Sequence, residues 1–315
     1  MIKDGIMLVD KPVGMTSHDV VDFIRRQIKS RRVGHAGILD PAATGLLLIL
    51  LGKGTKLSSF MVDMPKRYVG RFVFGRATDT YDSDGRIISE SDPGNSSKDE
   101  FRALTKNFIG EIKQIVPPFS AAKRGGIPSY KLARKGEEIT PGHKVVKVSS
   151  IEIVDFAWPE VALDISCSAG TYVRSMVHQM GQVLGCGGYL KSLRRMNIGH
   201  FSVNAASTLD EIREGGEIAH LIKPLKDTLP SSPAIFIKPQ YYRAVLNGRP
   251  LMKKYIAVNN YNGEGGVLSM LMGPDDKVLA LAKLNMLWKA IDKLGPSEVM
   301  GTYVRVIDEG CLRAG

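Results

Sequence analysis

The chain has 315 residues, 43% of them hydrophobic and 24% charged, and its formal net charge at pH 7 is +11. This composition is typical of a globular protein with room for two domains, and it argues against extended disorder. The excess of positive charge indicates a polyanionic partner, either nucleic acid or an acidic membrane surface. No apolar stretch approaches the roughly 20 residues of a membrane-spanning helix. Since no signal sequence is recognisable either, we expect a cytoplasmic protein.

The sequence gives no indication of a metal or a cofactor. Its cysteines, at positions 167, 186 and 311, are odd in number and far apart, which is typical of a reducing compartment without disulfides. Neither Cys-x-x-Cys nor His-x-x-x-His spacing occurs, so we expect no metal site. The phosphate-binding pattern Gly-x-x-x-x-Gly-Lys-Ser/Thr is absent, which argues against ATP or GTP chemistry.

The first fifty residues predict a strand, a helix and a second strand. An apolar run at residues 6–9 predicts a strand that ends at Pro12. Apolar residues recur every fourth position from Val20 to Ile28, which predicts an amphipathic helix with its cap at position 16 or 17. The consecutive aliphatic residues Leu46–Leu51 are typical of a strand buried on both faces.

Residues 34–45, with the sequence Gly-His-Ala-Gly-Ile-Leu-Asp-Pro-Ala-Ala-Thr-Gly, are predicted to form a loop. Asp40 precedes a proline, which biases its backbone away from helix, and the glycines allow another molecule to approach closely. An aspartate is ionised at pH 7, so Asp40 is a candidate nucleophile or base if a cation holds it in place. An Asp-Pro pair also opens turns, and the dipeptide alone favours the turn.

Apolar periodicity predicts four further elements in the centre of the chain: strands at Tyr68–Phe74 and Val161–Cys167, and helices at Phe101–Phe108 and Val173–Leu184. Residues 117–147 are strongly basic, and we predict a long excursion there. The stretch Leu229–Pro233 predicts a domain boundary. Beyond it, Val267–Met272 and Val278–Ala282 flank a turn sequence and predict a β-hairpin, so the C-terminal part is expected to be rich in strands.

Two stretches combine cations with aromatic residues. At residues 170–174, an extended backbone would place Tyr172 and Arg174 on one side, where the guanidinium could hold a carboxylate in two hydrogen bonds. The sequence Lys-Arg-Tyr at residues 66–68 could bind phosphate and stack a base. Taken alone, each stretch is more typical of an ordinary surface: a solvated arginine at a helix start, or a tyrosine packed at a sheet edge.

Together these segments resemble the bacterial tRNA pseudouridine-55 synthases, which act on the T-loop uridine of tRNA. Residues 34–45 resemble the nucleophile loop of that family, and residues 10–17 (Asp-Lys-Pro-Val-Gly-Met-Thr-Ser) resemble its N-terminal motif. The stretches 66–68, 170–174 and 193–195 match its remaining active-site segments in order. The resemblance extends from about residue 5 to residue 200.

The resemblance implies an α+β pseudouridine-synthase fold, with a mostly antiparallel central sheet and a small β-rich C-terminal domain similar to a PUA domain. The implied domains are a catalytic domain at 1–230 and a PUA-like RNA-binding domain at 234–315. The basic segment 117–147 would then be an RNA-gripping thumb loop.

The resemblance also implies a role for each candidate site residue. Asp40 would be the catalytic aspartate. The other implied roles concern the substrate: Tyr68 stacks on the target uracil, Tyr172 packs by the base, Arg174 pairs with Asp40, Leu193 lines the pocket, His35 occupies the stack vacated by the flipped nucleotide, and Lys11 supports the site.

Pseudouridine formation breaks an N1–C1′ bond and makes a C5–C1′ bond within one nucleotide, so it needs no cofactor. The target base must first be extruded from the folded RNA. We therefore expect a monomeric enzyme that acts on the T-arm of tRNA without a protein partner or a membrane. Two alternatives stay open: a guide-RNA-dependent pseudouridine synthase, and a non-catalytic tRNA-binding or tRNA-folding module, which the charge supports equally well.

Overall fold

The computed structural model describes residues 4–120, 123–124, 127–128, 142–216, 218–259, 266–285 and 293–307. Most of the predicted basic excursion at 117–147 lies outside these residues. No helix in the described ranges is long and apolar enough to span a membrane.

The described strands, in chain order, are β1 (Gly5–Lys11), β2 (Val33–Ala36), β3 (Thr44–Leu51), β4 (Lys66–Phe74), β5 (Arg76–Thr78), β6 (Ile87–Glu90), β7 (Gly110–Ile115), β8 (Lys123–Arg124), β9 (Ile127–Pro128), β10 (His143–Ala157), β11 (Glu160–Cys167), β12 (Gly188–Ile198), β13 (Phe201–Ser202), β14 (Ile222–Lys223), β15 (Ala234–Ile237), β16 (Leu251–Met252), β17 (Ile256–Asn259), β18 (Leu268–Met272), β19 (Val278–Leu284) and β20 (Val299–Val306). The described α-helices are α1 (Ser17–Ile28), α2 (Ser58–Val62), α3 (Lys98–Lys106), α4 (Val173–Leu184), α5 (Leu209–Glu214) and α6 (Tyr242–Leu246).

A ten-stranded central sheet runs in the order β14-β1-β3-β12-β4-β11-β10-β7, with β2 paired to β3 and β13 to β12. Its pairings are antiparallel except for that between β3 and β12, which confirms the predicted mostly antiparallel sheet. The side chains of Leu46–Leu51 are completely buried. Alternate residues of this run pack into different hydrophobic clusters on the two faces, as the aliphatic run predicted.

The two longest helices begin and end as their sequences predicted. Thr16 caps α1 in a capping box with Asp19, and the helix ends before Lys29, which is left-handed. Helix α4 ends at Gly185, which is also left-handed, and it packs its apolar face onto the central sheet. Helix α3 starts earlier than predicted, because Ser97 and Glu100 form a capping box in front of the apolar residues.

The segment at residues 34–45 is only partly a loop, so that prediction was too broad. Its first residues belong to β2, which pairs with β3 between Val33↔Leu51 and Ala36↔Leu48. Its last two residues begin β3. The pairing follows from the burial of β3, because buried backbone groups need hydrogen-bond partners on both edges of the strand. The true loop is residues 37–43, and its ends are fixed by two paired strands.

A second sheet follows the proline- and serine-rich stretch 229–233, in the order β16-β20-β19-β18-β15-β17. The predicted hairpin is present as the antiparallel pair β18 and β19. Apolar residues of the two sheets share one hydrophobic cluster, in which Leu8 and Leu46 join Met270 and Leu281. The ammonium group of Lys56 also donates to the carbonyls of residues 306 and 307. The β-rich C-terminal region is thus packed directly on the central sheet.

Candidate active site

A cleft of about 530 Å³ opens where the loop at residues 37–43 meets the start of α4, strands β4 and β12, and helix α2. Most of the predicted site residues line it: His35, Asp40, Tyr68, Tyr172, Arg174 and Leu193. Lys11 does not line the cleft. Segments from distant parts of the sequence therefore converge on one cavity.

Asp40 is both a turn residue and an accessible carboxylate. Its carbonyl accepts a 3.0 Å hydrogen bond from the amide of Ala43, which closes a turn. Its side chain is half exposed at the cleft, and the nearest cation is Arg174, with Nη2 at 3.6 Å from Oδ2. The two interpretations of the Asp-Pro pair are therefore compatible, since the turn presents the carboxylate.

Hydrogen bonds from residues 11–17 hold the loop at residues 37–43 in place. The hydroxyl of Ser17 donates to the carbonyl of Leu39 at 3.1 Å and accepts from its amide at 2.9 Å. The fully buried ammonium of Lys11 donates to the carbonyls of Pro12, Met15 and Pro41 at 2.8, 2.7 and 3.3 Å. Burial lowers the pKa of Lys11 to about 8, although the charge of Asp40 opposes the shift. The contacts of Lys11 are therefore those of a residue that supports the loop.

Arg195 holds the loop from the other side, a role that the sequence did not predict. Its side chain is 1% exposed and donates to the carbonyls of Leu46, Ile38 and Gly37 at 2.7, 3.1 and 3.2 Å. The strand that carries it also lies against Gly45, which has a φ of +102°, and a Cβ at that position would lie 2.4 Å from the carbonyl oxygen of Arg195. Only glycine fits there.

Arg174 lies in the first turn of α4 and is 6% exposed. The extended backbone considered for residues 170–174 ends at Tyr172, which is the N-cap, and the helix begins at Val173 as its apolar spacing predicted. The guanidinium still reaches Asp40, although by one contact and without the two-pronged geometry expected. Its hydrogen bonds go elsewhere: Nη1 to the carbonyl of Thr80 and to the carboxylate of Asp82, both at 3.1 Å, and Nη2 to the carbonyl of Phe119 at 2.6 Å.

Asp82 is a second carboxylate at this arginine, and no motif in the sequence predicted it. Its side chain is 14% exposed, and Oδ1 accepts a 2.6 Å hydrogen bond from the hydroxyl of Thr80. Burial raises the pKa of Asp82, while the hydrogen bond from Thr80 and the charge of Arg174 oppose the shift. The sequence around it, Asp-Thr-Tyr-Asp-Ser-Asp-Gly at residues 79–85, signals only a polar turn.

Tyr68 and Lys66 lie on the buried face of β4, whereas Arg67 lies on the opposite face and pairs with Asp164 at 2.6 Å. The ring of Tyr68 is 8% exposed, and burial raises the pKa of its hydroxyl against the opposing charge of Arg195. The ammonium of Lys66 donates to the carbonyls of Val62 and Met64, so both cations of this stretch have protein partners. Of this stretch, Lys66 and Tyr68 line the cleft.

The remaining predicted residues form the walls of the cleft. His35 lies on β2, and burial lowers the pKa of its imidazole, with the charge of Arg195 adding to the shift. Gln114 fixes the backbone of Tyr172 by two hydrogen bonds, of 2.9 Å to its carbonyl and 2.7 Å from its amide. Leu193 lies beside Gly70, where a Cβ would approach its side chain to 3.3 Å.

The cleft thus combines the accessible carboxylate of Asp40, the buried guanidinium groups of Arg174 and Arg195, and a buried aromatic ring between apolar walls. Such a site can enclose a flat uncharged ring and offer it a nucleophile. Within the ranges that the structure describes, no group of three or more His, Cys, Asp or Glu side chains is placed to hold a metal ion.

Comparison with protein families shows two adjoining matches. Residues 25–173 match the TruB family pseudouridylate synthase N-terminal domain, and residues 174–229 match the tRNA pseudouridylate synthase B C-terminal domain. The chain is 37% identical over 273 residues to tRNA pseudouridine synthase B of Syntrophotalea carbinolica. The aligned region covers 86% of this chain and 89% of that protein. It is 35% identical over 294 residues to the protein of the same name from Geobacter sulfurreducens, with 92% and 97% covered.

Solved structures show the same architecture. A chain of the archaeal box H/ACA sRNP Nop10–Cbf5 complex matches with a TM-score of 0.73 and 26% identity, over 98% of this chain and 87% of that one. A chain of a Cbf5–Nop10–Gar1 complex gives a TM-score of 0.74, also at 26% identity, over 97% and 85%. The expected pseudouridine-synthase fold is confirmed, and the chain belongs to the TruB family of pseudouridylate synthases.

Proposed function

We propose that this protein is a tRNA pseudouridine-55 synthase, an isomerase that converts the T-loop uridine of tRNA to pseudouridine with Asp40 as the nucleophile. The observation that carries the proposal is the placement of the half-exposed carboxylate of Asp40 3.6 Å from the buried guanidinium of Arg174, in a cleft that Tyr68 also lines. The names of relatives that are 35–43% identical support tRNA as the substrate.

The site residues suit the steps that this reaction requires. The target uridine leaves its stack, at a cost that pocket contacts offset, and enters the cleft. Tyr68 offers a ring for stacking on the uracil, while Tyr172 and Leu193 close the apolar walls. His35 would fill the place that the flipped base leaves in the RNA. Arg174 would orient the carboxylate of Asp40.

In the reaction itself, the N1–C1′ bond breaks and a C5–C1′ bond forms, while C5 loses a proton and N1 gains one. The composition of the nucleotide is unchanged, so no oxidant, reductant or group donor enters. Asp40 supplies the electron pair for the nucleophilic step. Burial raises the pKa of the Tyr68 hydroxyl, which makes its phenolate harder to form and favours a stacking role over that of a base.

The identity levels separate this proposal from the guide-dependent alternative. Relatives named tRNA pseudouridine synthase B are 35–43% identical to the chain, whereas the chains from H/ACA complexes are 25–26% identical. We propose that the protein acts in the cytoplasm as a monomer without a protein partner. The basic segment 117–147 would grip the RNA backbone as a thumb loop, and residues 234–315 would add a PUA-like RNA-binding domain to a catalytic domain at 1–230.

A single assay separates the three possibilities. Purified protein is incubated with an unmodified tRNA transcript, without guide RNA or any other protein, and pseudouridine is mapped by position. We expect product at position 55 with the wild type and none with Asp40→Asn, while the variant binds tRNA within a few-fold of the wild type. Product that appears only with a guide RNA would favour the guide-dependent enzyme. Tight binding without any product would favour a binding module.

A further inference from the structure

Two aromatic rings stack beside the cleft, and neither belongs to the predicted site. The rings of Tyr81 and His178 are 3.8 Å apart between centroids, with 13° between their planes. Tyr81 is 8% exposed and lies in the loop between β5 and β6, which also carries Thr80 and Asp82. The stack therefore involves the loop that supplies two acceptors to Arg174.

The backbone of Tyr81 explains how its two neighbours reach the same nitrogen. Tyr81 has a φ of +67°, a left-handed conformation that residues other than glycine seldom adopt. Because the chain turns there, the carbonyl of Thr80 and the carboxylate of Asp82 both accept from Nη1 of Arg174, each at 3.1 Å. A strained residue of this kind persists only where its surroundings hold it.

The position of His178 couples that loop to the arginine. His178 lies four residues after Arg174 on α4, and residues at this spacing share one face of a helix. Nδ1 of His178 is buried and has no hydrogen-bond partner among the described residues, so the stack on Tyr81 is a contact that can orient this ring. The carbonyl of Tyr81 is bonded to the amide of Leu190 at 3.0 Å, which fixes the loop on its other side.

We propose that the stack of Tyr81 on His178 positions Asp82, and through it the guanidinium of Arg174, for the reaction at Asp40. Both are positioning residues, since neither touches Asp40. The inference rests on the proposed pseudouridine synthase function and deepens it. The stack holds the left-handed turn at Tyr81 in place. Helix α4 thus carries Arg174 and, one turn later, the ring of His178, which holds the loop that supplies the acceptors of Arg174.

The test compares His178→Ala, which removes the stack, with His178→Phe, which keeps a flat ring without nitrogen. The single-turnover rate of pseudouridine formation and the Kd for tRNA are measured for each. Because an aromatic pair contributes about 0.5–1.5 kcal/mol, we expect His178→Ala to slow the reaction by a factor of about 2 to 13. We expect its Kd to stay within about twofold of the wild type, and His178→Phe to restore the rate.

His200 offers a matched control, because its ring contacts Phe201 at 3.9 Å in another part of the molecule. His200→Ala should leave the single-turnover rate unchanged. An unaltered rate in His178→Ala, or an equal loss in His178→Phe, would overturn the inference. A loss confined to tRNA affinity would overturn it as well.

Tryptic cleavage gives a readout that does not depend on activity. Arg86 ends the loop with its side chain 92% exposed, and cleavage after it reports on loop opening. We expect faster cleavage in His178→Ala and the wild-type rate in His178→Phe. If the wild type makes no pseudouridine, the proposed function fails, and the stack is then judged by cleavage alone: equal rates in the wild type and in His178→Ala would refute it.

Discussion

The buried guanidinium of Arg174 lies 3.1 Å from the carboxylate of Asp82, closer than the 3.6 Å that separate it from Asp40. The nearer carboxylate is 14% exposed and balances the buried positive charge, whereas Asp40 is 49% exposed. An uncompensated buried charge is costly. Asp82 therefore stabilises the arginine, and Asp40 keeps an accessible carboxylate.

Replacing Asp82 should damage catalysis more than binding. Asp82→Ala removes a charged hydrogen bond of about 1.5–3 kcal/mol, so we expect a loss of about tenfold to hundredfold in the single-turnover rate. Asp82→Asn keeps an acceptor and should lose less. The exposed neighbour Asp84 provides the control, and Asp84→Ala should react at the wild-type rate. A wild-type rate in Asp82→Ala would show that Arg174 needs no second carboxylate.

Arg174→Lys should not be conservative. The two terminal nitrogens of Arg174 serve three hydrogen-bond acceptors and also approach Asp40, and one ammonium group cannot reach all of them. We expect at least about a hundredfold loss in rate, or about 2.7 kcal/mol of transition-state stabilisation. The same change at Arg67, an exposed partner of Asp164, should cost little. Equal activities in the two variants would contradict the assignment.

Gly45→Ala and Gly110→Ala form a matched pair, because both glycines have left-handed backbones with φ of +102° and +96°. A Cβ on Gly110 meets nothing within 4 Å, so its cost should be the backbone strain alone, about 1–2 kcal/mol. A Cβ on Gly45 would overlap the backbone of Arg195, and the free energy of unfolding should fall further. Urea denaturation of both variants measures the difference. Equal losses in the free energy of unfolding would show that strand β12 can shift to make room for the added methyl group.

The stability of the protein should rise from pH 8 to about pH 9. Above that range the buried thiol of Cys167 opposes the rise, because burial raises its pKa to about 11. Burial lowers the pKa of Lys11 and Lys66 to about 8, well below the value of about 10.4 in an unfolded chain. In this window the unfolded state binds more protons than the folded state, so the free energy of unfolding increases with pH, by at most about 1.4 kcal/mol per pH unit for each lysine.

Urea midpoints at pH 7, 8 and 9 measure this increase. Lys66→Met removes one of the two groups, and its midpoints should rise about half as steeply. Midpoints that fall over this range in the wild type would contradict the direction of both pKa shifts.

Local signals in the sequence were sufficient for the regular elements. Helix α1 has apolar residues at every fourth position and a capping threonine, and strand β3 is aliphatic throughout. Both signals lie within one element, so no tertiary information is needed. The predicted loop at residues 34–45 was too long, because the structure of this segment depends on a strand outside it. Its first part is a strand because β3 needs a partner on that edge, and the requirement arises only once β3 is buried.

The site residues were predictable where the family resemblance covered them. The residues that hold them in place were not predictable from the sequence. Asp82 lies in a sequence that reads as a polar turn, and only the fold brings it to Arg174. Arg195 lies in a strand whose basic composition suggests an exposed surface, yet it is buried because three carbonyls accept from its guanidinium. Contacts of this kind join residues more than 90 positions apart, and spacing along the chain does not encode them.

Leu8 and Leu46 of the central sheet share one hydrophobic cluster with Met270 and Leu281 of the C-terminal sheet. The C-terminal sheet therefore covers an apolar face of the central sheet. A chain truncated after residue 232 would expose this apolar surface to solvent. We expect it to aggregate rather than to remain as a smaller enzyme. The same packing joins the two sheets through one hydrophobic core, which favours a fixed distance between the C-terminal sheet and the active-site cleft. If residues 234–315 bind RNA as proposed, that distance sets how far along the RNA their contact lies from the nucleotide at Asp40.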